Sequence, residues 1–199
     1  TGSTLSSLDT LERYNLVDDA WNAVVAGAMS SDAYIAFLQG FTNERDLAVW
    51  QTIAASLKSL SRIVPTESEQ VFASFVKALV TPALAHFGWK PVAGEEDLVA
   101  KLRGLIVQLL AIHGKDTDAQ RQCRDILFNN TVTEPELVAA ATNVVAATGD
   151  ATDYEWFINR YRDPSTPQEQ IRMLYALAEF DSAELIARTC DFALTSEVK

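Results

Sequence analysis

The chain has 199 residues, 48% of them hydrophobic and 22% charged, with a formal net charge of −11. That composition belongs to a folded chain rather than a disordered one, long enough for one domain or a short helical array burying roughly 70% of its unfolded surface. The acidity excludes nucleic acid, whose phosphates demand concentrated Lys and Arg, and it speaks against docking on anionic membranes.

Apolar residues recur at a period near 3.6 along nearly the whole chain, and no segment alternates as a half-buried strand does. The reading is all-α, with ten helices over 8–28, 32–40, 46–63, 67–86, 95–113, 117–129, 134–148, 151–162, 167–179 and 182–194. Thr1 to Ser7 is no signal peptide and reads as the edge of an excised piece, and no apolar run approaches the ~18 residues of a membrane span. In the first helix Asn15, Asp18, Asp19 and Asn22 fall within about a quarter-turn of one face. The rest of its circumference carries Tyr14, Leu16, Val17, Ala20, Trp21 and Val24, so most of this helix is expected to be buried. Its polar stripe is either a solvated edge or a face that lines a cavity or pairs with other polar groups.

Over the segment Asp46 to Val64, Trp50, Ile53, Ala54, Leu57, Leu60 and Val64 share a stripe, while Gln51, Lys58 and Arg62 face elsewhere. The one long connection, His86 to Glu95, carries Gly88, Pro91 and Gly94. In the helix after it, Arg103 sits among Val99, Ile106, Val107 and Leu110. A guanidinium on an apolar flank needs a carboxylate or carbonyls, since an unpaired buried charge costs several kcal/mol. Arg103 is therefore expected in a buried or half-buried salt bridge or carbonyl clamp to an adjacent helix, with the acidic group of the first helix as its natural counterpart; snorkelling to the surface is the alternative.

His86 and His113 lie beside helix ends and read as caps favoured by the helix dipole. Cys123 aligns with Ala119, Ile126 and Leu127, and Cys190 with Ile186 and Ala193, so both thiols are expected as small buried hydrophobes. Asn129-Asn130-Thr131 reads as a helix-ending turn. Thr66 with Glu69, Thr133 with Glu136, Thr166 with Glu169 and Asp181 with Glu184 have capping-box spacing, and Pro135 and Pro167 sit in first turns. Aromatics at helical spacing, from Trp21, Phe37 and Phe41 through Phe72 and Phe75 to Trp156 and Tyr161, read as packing. Arg160, Arg162 and Arg172 form a basic patch too small for nucleic acid.

Short links between helices make hairpins, and hairpin after hairpin gives a curved stack of antiparallel helix pairs, HEAT- or armadillo-like, as a single domain over 1–199; a compact irregular bundle is the alternative. The last helix, with Leu185, Ile186 and Phe192, lacks the polar outer face of a terminal cap, so the natural chain is expected to continue. No chemistry-bearing pattern emerges. Two histidines 27 residues apart, without His-Glu-x-x-His or paired cysteines, fall short of the three ligands of a catalytic zinc. There is no Gly-x-Ser-x-Gly elbow and no glycine-rich phosphate cradle. No catalytic, cofactor or metal site is therefore assigned.

Several short motifs nevertheless occur in a characteristic order: Arg13-x-Asn15-Leu16-x-Asp18-Asp19-Ala20, Gly27 ahead of Ser30, Glu44-x-Asp46 with Val49-Trp50, Gly88-Trp89 with Glu95 and Glu96, Leu102-Arg103, and Trp156 through Tyr161. From about Ser6 to the end the chain resembles the C-terminal helical domain of aminopeptidase N-type zinc aminopeptidases, the group that includes the endoplasmic-reticulum aminopeptidases, with actinobacterial members nearest. The resemblance implies a superhelical domain that packs over a thermolysin-like catalytic domain of the same polypeptide. Such a domain encloses a peptide chamber and controls access to it. It also implies zinc, held upstream by His-Glu-x-x-His-x18-Glu and accompanied by Gly-x-Met-Glu-Asn. Neither motif occurs here, so no catalytic role transfers and the piece alone is expected to be inactive. Arg13, Asn15, Asp18, Asp19, Trp50, Trp89 and Arg103 are the motif residues expected to matter for the cavity. The expected partners are the missing catalytic domain and peptide substrates, with self-association of the piece and a cytoplasmic setting. The competing reading is a free-standing helical-repeat scaffold that binds another protein.

Overall fold

The computed structural model describes residue 5, residues 7–92 and residues 94–198, and among them every regular element is helical. Ten α-helices follow one another among these residues: α1 Thr10–Val25, α2 Ser31–Leu38, α3 Leu47–Ser61, α4 Glu69–Phe87, α5 Asp97–Gln108, α6 Thr117–Asn129, α7 Pro135–Thr148, α8 Ala151–Arg162, α9 Pro167–Ala176 and α10 Ala183–Ala193. Short 3₁₀ turns extend α2, precede α4 and extend α9, and a π-helical segment, Leu109–His113, continues α5.

The starts of the helices follow local chemistry, though not always the expected residues. Aspartates make the two full capping boxes, Asp9 with Glu12 on α1 and Asp150 with Asp153 on α8. Of the predicted boxes, Thr166 does cap α9, accepting from the Glu169 N–H at 3.1 Å, but the Glu169 carboxylate turns to Ser165 and Arg160 instead. The others are displaced. Thr66 opens a 3₁₀ turn, Glu134 rather than Thr133 caps α7 through the N–H groups of Glu136 and Leu137, and Ser182 begins α10 with no side-chain bond. Asn130, at φ 50°, ends α6 as the sequence indicated; Asn tolerates the left-handed region better than most residues.

Contacts divide the chain into two compact units, one up to Asp116 and one from Thr117. In the first, α1 packs on α2 and α3, α3 on α5, and α4 on α5 and its π-helical continuation. Trp50, Ile53, Leu57, Val76, Val80 and Ile106 are fully buried at the centre. In the second, α6 pairs with α7, α7 with α9 and α8 with α9, around Leu137, Val144, Val145, Phe157, Leu177 and Phe180.

Three expectations change. Helix α1 is covered along one flank only, so Val17 alone is buried while Leu11, Leu16 and Val25 stay exposed. Cys123 is buried as expected, but Cys190 is exposed. Helix α10 turns Leu185 and Phe192 inward, which leaves the neighbouring stripe of Ile186 and Cys190 outside. The segment Thr66–Phe87 is long and apolar enough, by length and composition, to cross a membrane. Lys77 interrupts its apolar run. Within its unit Phe72, Val76, Leu79, Val80 and Ala83 form its buried face.

Candidate functional site

The first unit contains two centres built on buried charge, and both draw in motif residues. At the first, Glu44 lies in the turn before α3 with its side chain 3% exposed. Arg13 reaches it from α1 as a fork, donating through Nε at 2.6 Å and Nη2 at 3.1 Å, and through Nη1 to the Leu8 carbonyl at 2.8 Å. Such bidentate, charge-assisted pairs fix geometry as well as adding energy. The same carboxylate accepts the backbone N–H groups of Arg45 and Asp46, at 2.8 and 2.9 Å. The Trp50 indole donates to the Glu44 carbonyl at 3.1 Å, and Asp46 caps α3.

Burial works to raise the Glu44 carboxyl, but the Arg13 hydrogen bond and the two backbone N–H donors prevail and hold it below its usual range. Arg13, Glu44, Asp46 and Trp50, scattered over 38 positions of sequence, thus meet at one point. Beside them opens a cavity of about 640 Å³, lined in part by Arg13, Gln39, Thr42, Asn43 and Arg45.

The second centre is Arg103, wholly buried on α5. Its Nε donates to the Gly88 carbonyl at 3.0 Å, and its Nη2 donates to the Phe87 carbonyl at 3.3 Å and to the Glu95 carboxylate. The guanidinium therefore caps the C-terminal carbonyls of α4, where a cation also meets the negative end of the helix dipole. Both predicted forms, salt bridge and carbonyl clamp, are present. The expected counterpart is not: Arg103 pairs with Glu95 and not with the acidic group of α1. Glu95 lies eight residues upstream, across the loop that Gly88 begins at φ 68°. Among the described residues Arg103 Nη1 and Glu95 Oε1 are buried without hydrogen-bond partners, so part of their desolvation is uncompensated. Trp89 sits half-buried in the same loop.

The polar stripe of α1 joins neither centre. Asn15 and Asp19 are exposed, and half-buried Asp18 accepts from Asn22 Nδ2 at 3.1 Å. Asp18 nevertheless acts on Tyr34, whose phenol is pushed up to about 12 mainly by burial and further by this charge. His113 departs from its expected role as a charged cap. Burial, and then Lys58, lower its pKa, which favours the neutral ring.

The second unit has a centre that sequence reasoning missed. Asp153, 8% exposed, takes a fork from Arg124 at 2.8 and 2.7 Å while closing the capping box of α8. Its position three residues after Asp150 was the available signal. The basic patch is largely neutralised, with Arg160 on Glu169 and Arg162 on Glu197, both at 2.8 Å. Trp156 packs edge-on to Phe128, ring centres 5.0 Å apart, and Tyr161 donates to the Glu197 carbonyl at 2.9 Å.

These centres tie neighbouring segments together through charged side chains; none pairs a nucleophile with a base. Among the described residues no group of three or more His, Cys, Asp or Glu side chains is placed to hold a metal ion. The sequence profile of the ERAP1-like C-terminal domain family matches residues 2–199. The chain is 26% identical over 204 residues to Aminopeptidase M1 of Arabidopsis thaliana, a match covering 97% of this chain and 23% of the relative. It is 28% identical over 200 residues to the Alanine/arginine aminopeptidase of Saccharomyces cerevisiae, covering 96% and 23%. It is also 28% identical over 161 residues to the Tricorn protease-interacting factor F2 of Thermoplasma volcanium, covering 81% and 20%. It thus spans less than a quarter of the length of these curated relatives. On the match across residues 2–199, this chain belongs to the ERAP1-like C-terminal domain family.

Proposed function

We propose that this chain serves as the non-catalytic helical C-terminal domain of a zinc-dependent aminopeptidase that removes N-terminal residues from peptides. The observation that carries the reading is the family match over nearly every residue, together with relatives named as aminopeptidases. In this reading zinc and the groups acting with it reside in a catalytic domain of the same polypeptide, where the metal would supply Lewis acidity for peptide hydrolysis. The present chain contributes a helical wall that bounds the peptide chamber and limits access, in a cytoplasmic enzyme. The two arginine centres support the reading because they stiffen that wall from within, tying α1 to the turn before α3 and the end of α4 to α5. Exposed Leu11, Val25, Ile63 and Val71 offer apolar surface to a partner domain, or to a second copy when that domain is missing.

The test has two parts. The purified chain is assayed on alanine and arginine p-nitroanilides with and without zinc, and no turnover is expected. Chelator-sensitive turnover would sink the non-catalytic assignment. The chain is then added to the separately produced catalytic region of its own enzyme, and the ratio of long- to short-peptide cleavage is measured. An unchanged ratio, with the two parts shown to associate, refutes the chamber-wall role.

A further inference from the structure

A cavity of about 260 Å³ lies wholly within the second unit, and nothing in the aminopeptidase reading uses it. Its apolar side includes Phe128, Val138, Trp156 and Met173, and its polar side Asn130, Arg160, Glu169 and Arg172. Arg160 is occupied, donating to Glu169 at 2.8 Å and to the Ser165 hydroxyl at 2.7 Å. Glu169 is occupied too, its second oxygen accepting the Ser165 N–H at 2.6 Å. Burial works to raise the Glu169 carboxyl, but Arg160 and the Ser165 N–H hold it below its usual range, so it is ionised at neutral pH. Arg172 differs from both: among the described residues it has no hydrogen bond and no ion pair. Two arginines against one glutamate leave the cavity one positive charge, in a chain whose net charge is −11.

We propose that this cavity binds a carboxylate carried on an aromatic or apolar body, with Arg172 as the anion-binding group. A free guanidinium matches a carboxylate as a planar fork. The edge-to-face pair of Phe128 and Trp156, with the polarisable thioether of Met173, suits an aromatic ring. The volume falls just below the ~300–1,000 Å³ of small-molecule sites, so the cavity takes one small acid or the end of a longer chain. The proposal is independent of the chamber-wall reading.

The experiment titrates the 199-residue chain with phenylacetate by calorimetry and by amide chemical shifts, with phenylacetamide as the neutral isostere. Saturable phenylacetate binding is expected, with shifts at residues 126–130 and 156–173 and binding by phenylacetamide at least tenfold weaker. Arg172→Gln is expected to weaken binding tenfold or more at an unchanged thermal midpoint, since the fold gives Arg172 no partner, and Arg172→Lys, which keeps the charge but not the planar fork, is expected to fall between wild type and Arg172→Gln. Equal binding of acid and amide overturns the proposal, as does an Arg172→Gln variant within twofold of wild type. Inorganic phosphate competing as well as phenylacetate overturns the apolar half of it. Stronger binding of N-acetylphenylalanine than phenylalanine assigns the carboxylate to a peptide terminus, and the reverse assigns it to a free amino acid; either supports the site.

Discussion

Replacing Arg103 by Met keeps much of the side-chain volume and removes the guanidinium. The Glu95 carboxylate, 12% exposed, then loses its cation, and the Phe87 and Gly88 carbonyls lose their donor. Breaking a buried pair from one side costs about 3–5 kcal/mol. At about 2–4 °C per kcal/mol for a chain of this size, its thermal midpoint falls by roughly 6–20 °C. The pair already carries two buried polar atoms without partners, so removing both charges relieves a penalty that removing one creates. The double variant Arg103→Met with Glu95→Gln is therefore expected within about 2 kcal/mol of wild type.

Urea unfolding gives the energies, and hydrogen exchange over residues 88–96 reports whether the loop between α4 and α5 loosens first. The acid limb adds a check. The Arg103 hydrogen bond holds the Glu95 carboxyl below its usual range, so the pair stabilises the fold above the unfolded carboxyl value of about 4.3. That stability drains as pH falls through the lowered folded value, and the Arg103→Met variant lacks this component. A single-variant loss under about 1 kcal/mol, or a double variant no better than the single, refutes the reasoning.

Other expectations follow from the same geometry. Glu44→Gln leaves Arg13 without its carboxylate and weakens two backbone donors, so urea unfolding is expected to show a loss of about 2–4 kcal/mol, with a shift of Trp50 emission. His113 has a folded pKa below its unfolded value of about 6.5, so the unfolded state takes up the proton first. Stability is therefore expected to decline as pH falls through the region of 6.5, and His113→Gln to flatten that slope in thermal melts. Iodoacetamide followed by mass spectrometry is expected to label exposed Cys190 in the native chain. Cys123, buried and with its thiol pushed up to about 12, should react only in denaturant, and native labelling of it would contradict the packing of α6 on α7.

The all-helical class, the ten helices and the fate of Arg103 were legible in the sequence, because periodicity, Asn and Pro at helix ends, and the cost of an isolated buried charge are local matters. The meeting of Arg13, Glu44 and Trp50 could be read only as an ordered set of motifs, since nothing in spacing says that Glu44 receives a fork from α1. The misreadings of burial and pairing share one cause. Leu16 in α1 and Cys190 in α10 lie on stripes apolar enough to be buried, and whether a stripe is buried depends on what packs against it. Glu95 displaced the α1 carboxylates as partner of Arg103 for the same reason, since the backbone turn at Gly88 brings it within reach and leaves Asp18 and Asp19 elsewhere. Residue order thus determined which segments coil and which faces seek cover. Only the tertiary arrangement decided which neighbour supplies it, because burial belongs to pairs of surfaces and not to either one alone.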